Sequence, residues 1–199
     1  RKAFPIFAKA NKLSNISWTA MDPPLRETML VRGDVDAITG FSFTSLLNLE
    51  ARGVKAEDVV VMPYPAYGVK LYGNVVIVGE EFLKKNPEAV KGFLRAFTKG
   101  VKDVIADPKG SIASVKARDG IINEDLELRR LKLALDATVL TPDAKAEGFG
   151  QALAPRLSLM ASQVSDAFGT KERIQPAAVW NGSLLPSAAE LDIFKAAKK

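Results

Sequence analysis

The chain has 199 residues, 47% hydrophobic and 26% charged, with a net charge of +5 and a pI near 9.4. That balance predicts an ordinary globular chain able to bury a core. It contains neither cysteine nor histidine, which excludes disulfides, thiolate or imidazole metal sites, cysteine nucleophiles and Ser-His-Asp triads. Lysines and arginines are scattered singly, apart from the Lys195–Lys199 tail. No nucleic-acid partner is therefore expected, and a mildly basic surface suits a small acidic ligand. No apolar run approaches the ~18 residues of a membrane span. The start, Arg1-Lys2-Ala3-Phe4-Pro5, lacks the apolar stretch and cleavage site of a signal peptide.

Arg1 to Leu13 reads as an amphipathic helix, with Phe4, Phe7, Ala8 and Ala10 near one face. No N-cap precedes it. Ile16 to Met21 alternates like a strand. Asp22-Pro23-Pro24 signals a helix start, Asp22 as N-cap and proline where a missing amide costs nothing. Leu25, Met29 and Leu30 are its expected buried face, and Gly33 its stop. Val35–Thr39 is the next predicted strand, Phe43 or Thr44 to Arg52 a helix stopped by Gly53, and Val59–Met62 another strand. Helices alternating with strands at this spacing predict a parallel sheet, an α/β fold class.

Pro63 to Gly68 is a turn-rich break, and Leu71–Val78 is a strongly apolar predicted strand. Helices dominate from there on. Asn86-Pro87 opens a long one whose Val90, Phe93, Leu94, Phe97, Val101, Val104 and Ile105 keep a 3/4 spacing. Others are predicted near Ser111–Ala117, Glu124–Val139, Ala144–Phe168 and Ser187–Ala197. The shift near Tyr72–Asn74 divides the chain into 1–72 and 73–199.

Arg32-Gly33-Asp34 spells an adhesion tripeptide, but Gly33 stands where a helix-terminating glycine belongs. Asn15-Ile16-Ser17 and Asn181-Gly182-Ser183 match a glycosylation sequon short enough to occur by chance. Gly40–Ser45 is the better candidate. It leaves the carboxyl end of a predicted strand and enters a helix N-terminus, where free amides and the positive dipole end favour an anion. Ser42, Thr44 and Ser45 offer hydroxyls, and Phe41 and Phe43 offer rings for an organic moiety. The plainer alternative makes one hydroxyl a helix cap and both rings core. Tyr64, Tyr67 and Tyr72 cluster in the following break, as cleft walls or as cover for a hinge. Trp18 is either a further cleft residue or core.

Three pieces in order, "DPPLRETMLVRGDVDAITGF", "YGNVVIV" and "NPEAVKGFLRAFTKGVKDVIADP", resemble the periplasmic substrate-binding proteins of ABC importers for nitrate, sulfonates, taurine and thiamine-pyrimidine precursors. The resemblance extends to about Pro108. It implies a type II periplasmic-binding-protein-like fold, with residues 1–72 the remainder of a second α/β lobe lacking its first strand. Residues 73–199 would be the return strand and helical part belonging to the first lobe. The start of the chain would then fall inside a lobe, and an unpaired sheet edge would favour homo-oligomers.

By resemblance the function is that of an extracytoplasmic, periplasmic solute-binding component, without enzymatic activity or cofactor. It would take a small anionic or heteroaromatic organic solute and deliver it to an ABC permease. The family's cleft loop often carries an aromatic-acidic-proline sequence. Here Gly40-Phe41-Ser42-Phe43 has neither acid nor proline, which favours an anionic organic ligand. Expected contacts are Phe41, Ser42, Phe43 and Thr44, then Trp18, Tyr67, Tyr72 and Asn74. The alternatives are an enzyme of thiamine-pyrimidine precursor synthesis on the same fold and the effector-binding domain of a transcription regulator. Enzymes of the first kind use a cysteine-rich iron motif, and cysteine is missing from this chain.

Overall fold

The computed structural model describes residues 3–196. The ends of the predicted first and last helices, residues 1–2 and 197–199, and the end of the basic tail lie outside them. Helices α1 (Phe4–Ala10), α2 (Arg26–Arg32), α3 (Ser42–Glu50), α4 (Glu80–Lys85) and α5 (Pro87–Ala106) come first. They are followed by α6 (Pro108–Lys116), α7 (Glu124–Ala134), α8 (Pro142–Glu147), α9 (Ala154–Phe168), α10 (Pro176–Val179) and α11 (Ala188–Leu191).

No strand exists among the described residues, so the expected α/β parallel-sheet lobe is corrected to a helical assembly. The four predicted strands, 16–21, 35–39, 59–62 and 71–78, are non-helical segments without a ladder. Their β-branched residues disfavour helix, but a strand needs a neighbour for its amides and carbonyls. None reaches another here. Val60 is 87% exposed and Ile77 86%, where a sheet would have buried them.

Terminators hold better than strands, because they act locally. Gly33, at φ 75°, ends α2 with its own amide on Leu30 and that of Asp34 on Met29. Gly53, at φ 83°, follows α3, with the Val54 amide on Leu49. Arg32 and Asp34 form an ion pair across the first of these stops, so the adhesion tripeptide is a helix terminus. Asp22 precedes a 3-10 turn, Pro23–Leu25, without capping it through its side chain. The buried residue of α2 is Glu27 at 1% exposure, while Leu25 is half exposed.

Two hydrophobic clusters carry the fold. One joins Ile6, Phe7 and Val69, with Phe4, Tyr64, Tyr67, Leu71 and Ala167 packed around them. It ties α1 to α9 and to the 3-10 turn Tyr64–Tyr67. The other joins Ile105, Leu135 and Ile193, flanked by Val101, Leu131, Phe149 and Phe194. Helix α5 keeps most of the expected face, with Val90 and Ile105 buried and Leu94, Val101 and Val104 half-buried, but Thr98 is buried as well and Phe93 and Phe97 are about half exposed. The Thr98 hydroxyl tolerates burial by donating to the Leu94 carbonyl at 2.8 Å. The predicted helix 144–168 is broken into α8 and α9 around Gly148 and Gly150, both at positive φ. Thr141 caps α8, accepting from the Ala144 amide.

Candidate functional site

The loop before α3 is built by residues of α2. Nη1 of Arg26 donates to the Thr39 carbonyl at 2.7 Å, and its Nε to Pro23 O at 3.1 Å. A Cβ on Gly40 would lie 2.8 Å from that Nη1 and 3.1 Å from Ser45 Oγ. Any larger residue there would push the guanidinium off Thr39. One turn on, Ser45 donates to Oε1 of buried Glu27 at 2.7 Å. The hydroxyl of Ser45 is thereby committed to the α2–α3 seam.

Phe41 occupies the N-cap position and has no side-chain acceptor to offer. Its carbonyl accepts from the amides of Thr44 and Ser45, both at 3.0 Å. The amides of Ser42 and Phe43 therefore open the helix without an acceptor among the described residues, at the positive end of the helix dipole. The rings of Phe41 and Phe43 stack at 5.3 Å between centroids, and Phe41 is 54% exposed. On the far side Arg130, held by both carboxylate oxygens of Glu127, brings Nη1 to 3.5 Å from the Thr44 carbonyl. The helix start thus combines two open amides, an exposed Ser42, a ring pair and guanidinium groups on two sides.

The expected contacts separate into three places. Phe41, Ser42, Phe43 and Thr44 share the α3 start. Trp18 and Tyr67 belong to the aromatic cluster of α1: Trp18 meets Phe4 edge-on at 4.9 Å, and Tyr67 meets Phe7 at 5.5 Å. Tyr64 stacks on the same Phe7 at 5.1 Å, and burial pushes its phenol up from the ordinary value. Tyr72 is a clasp. Its hydroxyl accepts from the Leu153 amide at 2.7 Å, and the Arg156 guanidinium lies 4.3 Å above its ring. Arg156 also donates to the carbonyls of Lys70 and Leu71 and pairs with Asp143. Asn74 is exposed in the segment that follows.

Sequence reasoning missed Arg26, Glu27 and Arg130. Each acts on the loop through the folding of one helix over another, and no spacing within a helix announces that. A cavity of about 320 Å³ lies at the other end of α3, lined by Leu47, Glu50, Asn123, Leu126 and Arg129 among others. There Arg129 grips both oxygens of Glu50 at 2.9 and 2.6 Å, and this hydrogen bonding holds the Glu50 carboxyl below its usual range. A helix C-terminus repels anions, and this cation is already paired. The cavity is a seam between α3 and α7. Among the described residues, no group of three acidic, cysteine or histidine side chains is placed to hold a metal.

The class that emerges is a helical chain presenting a polar-aromatic helix start to solvent, and no helix among the described residues is long and apolar enough to cross a membrane. The family model described as NMT1/THI5 like matches residues 9–111. The chain belongs to that family, and so to proteins of the solute-binding type and their relatives. Searches of curated proteins and of solved structures found no match.

Proposed function

We propose that this chain is the solute-binding component of an ABC importer, working outside the cytoplasm and passing its ligand to a membrane permease. Its ligand is a small anionic or heteroaromatic organic solute. The observation that carries this reading is the α3 start, inside the matched span: the open amides of Ser42 and Phe43 lie beside the stacked Phe41 and Phe43 rings. Amides at a helix N-terminus favour an anionic group, and a ring pair adds a face for a flat organic one. Ser42 supplies a hydroxyl, and Thr44 contributes from the same turn. Trp18, Tyr67, Tyr72 and Asn74 form a second tier to be tested after the loop.

The test is a thermal-shift screen of the full chain against sulfonates, carboxylates and pyrimidines. A ligand at a hundred times its Kd stabilises by about 2.7 kcal/mol, a readily measured rise in Tm. Phe41→Ala and Ser42→Pro are expected to abolish the rise, the second by removing an amide. If no anionic or heteroaromatic compound raises Tm, the reading fails. Stoichiometric binding of iron or pyridoxal phosphate would instead favour an enzyme.

A further inference from the structure

Asn181-Gly182-Ser183 lies in the connection between α10 and α11, outside the span that the family model matches. Asn181 is exposed, and its Oδ1 accepts twice from Ser183, from the amide at 3.0 Å and the hydroxyl at 2.7 Å. Neither Nδ2 of Asn181 nor the Gly182 amide has an acceptor among the described residues. Of all the asparagines in the chain, only Asn181 precedes a glycine. No side chain on Gly182 therefore crowds the approach of its nitrogen to the neighbouring amide. Asn15 and Asn74 are also exposed, but β-branched Ile16 and Val75 follow them, and neither side chain has a partner among the described residues.

A carbonyl held by two donors, next to a free backbone amide, is arranged for attack within the chain. We propose that Asn181 converts without an enzyme to aspartate and isoaspartate, its ring closure assisted by Ser183. Hydroxide takes the Gly182 amide proton, and the nitrogen forms a bond to Cγ of Asn181. The oxyanion developing on Oδ1 already has the Ser183 amide and hydroxyl aimed at it, so little reorganisation is needed. Collapse breaks the Cγ–Nδ2 bond, and Nδ2 leaves as ammonia with a proton from water. Water, the only co-reactant, then opens the cyclic imide. Breaking the new bond from nitrogen to Cγ leaves aspartate; breaking the older bond to the Asn181 backbone carbonyl carbon leaves isoaspartate. Both products add a negative charge. Isoaspartate also lengthens the backbone just before the turn in which the Leu185 amide donates to the Gly182 carbonyl at 3.1 Å, and so loosens the approach to α11. The inference stands independently of the ligand reading.

Incubating the full chain in warm, mildly alkaline buffer and mapping its peptides by mass tests this. Amide-to-acid conversion is expected at Asn181, as a mixture of both products, with Asn15 and Asn74 intact over the same period. Gly182→Ala should slow the conversion strongly. A Cβ there would lie 3.4 Å from Nε1 of Trp180, an ordinary contact that lets the variant fold. Ser183→Ala removes one of the two donors and should slow the folded chain about tenfold. Ser183→Thr, which keeps the hydroxyl, should recover the rate. In urea the donors are no longer held in place, and Ser183→Ala should react as fast as the parent chain. An intact Asn181 overturns the proposal, as does conversion of Asn15 or Asn74 at the same rate. So does a folded Ser183→Ala chain that reacts at the parental rate, or one slowed equally in urea.

Discussion

Glu27 and Arg156 show how single polar residues organise this chain. Glu27 is 1% exposed and receives the Ser45 hydroxyl at 2.7 Å. Leaving Ser45 without that acceptor should cost about 1–3 kcal/mol. Glu27→Ala is therefore expected to lower Tm, and Glu27→Gln, which retains an acceptor oxygen, to recover most of the loss in a melting comparison. Arg156 joins Asp143, two backbone carbonyls and the Tyr72 ring. Arg156→Ala should destabilise by about 2 kcal/mol in urea titration. Arg156→Lys should recover little, since a point charge cannot serve a fork of acceptors and a ring together.

At the scale of elements, the break between α8 and α9 turns on Gly148 and Gly150, both at positive φ. Gly148 has φ 99° and ψ 152°, and a Cβ there would stand 3.2 Å from Cβ of Leu191, which is 1% exposed. Gly148→Ala is expected to cost about 2–3 kcal/mol, from backbone strain and from pressure on that packing. Denaturant midpoints would measure it. Helix α11 is fixed by its capping box. Glu190 accepts from the Ser187 amide at 3.0 Å and hydroxyl at 2.7 Å and pairs with Arg95 of α5 at 3.2 Å. Chiefly through the Ser187 hydroxyl, these contacts hold the Glu190 carboxyl below its usual value of 4.5. A carboxyl with a depressed folded pKa stabilises above its unfolded pKa, and that contribution is lost as pH falls through the folded value. Acid melts should show the loss below about pH 4.5, and Ser187→Ala should reduce it by raising the folded pKa.

For the whole molecule, two hydrophobic clusters carry the packing, and several non-helical segments lie outside them. Residues 35–39 and 60–62 donate no backbone hydrogen bond among the described residues. Their amides should exchange with solvent at nearly the unfolded rate, while those inside α5 and α7 exchange far more slowly. Comparable protection in both sets would contradict the unpaired state of these segments.

The sequence by itself determined the local features. The α2 and α3 stops at Gly33 and Gly53, the start of α5 after Asn86 and the segment order behind the family match all depend on residues a few positions apart. The Gly40–Thr44 turn was legible for the same reason, as a helix start rich in rings and hydroxyls. Only the tertiary structure decided whether extended segments became strands, because a ladder needs a second segment that no local pattern supplies. Tertiary packing also turned Thr98 inward and Phe97 outward, committed Ser45 to Glu27 and set Arg26 against Gly40. Each of these depends on how one element meets another, a relation that propensity and periodicity do not encode.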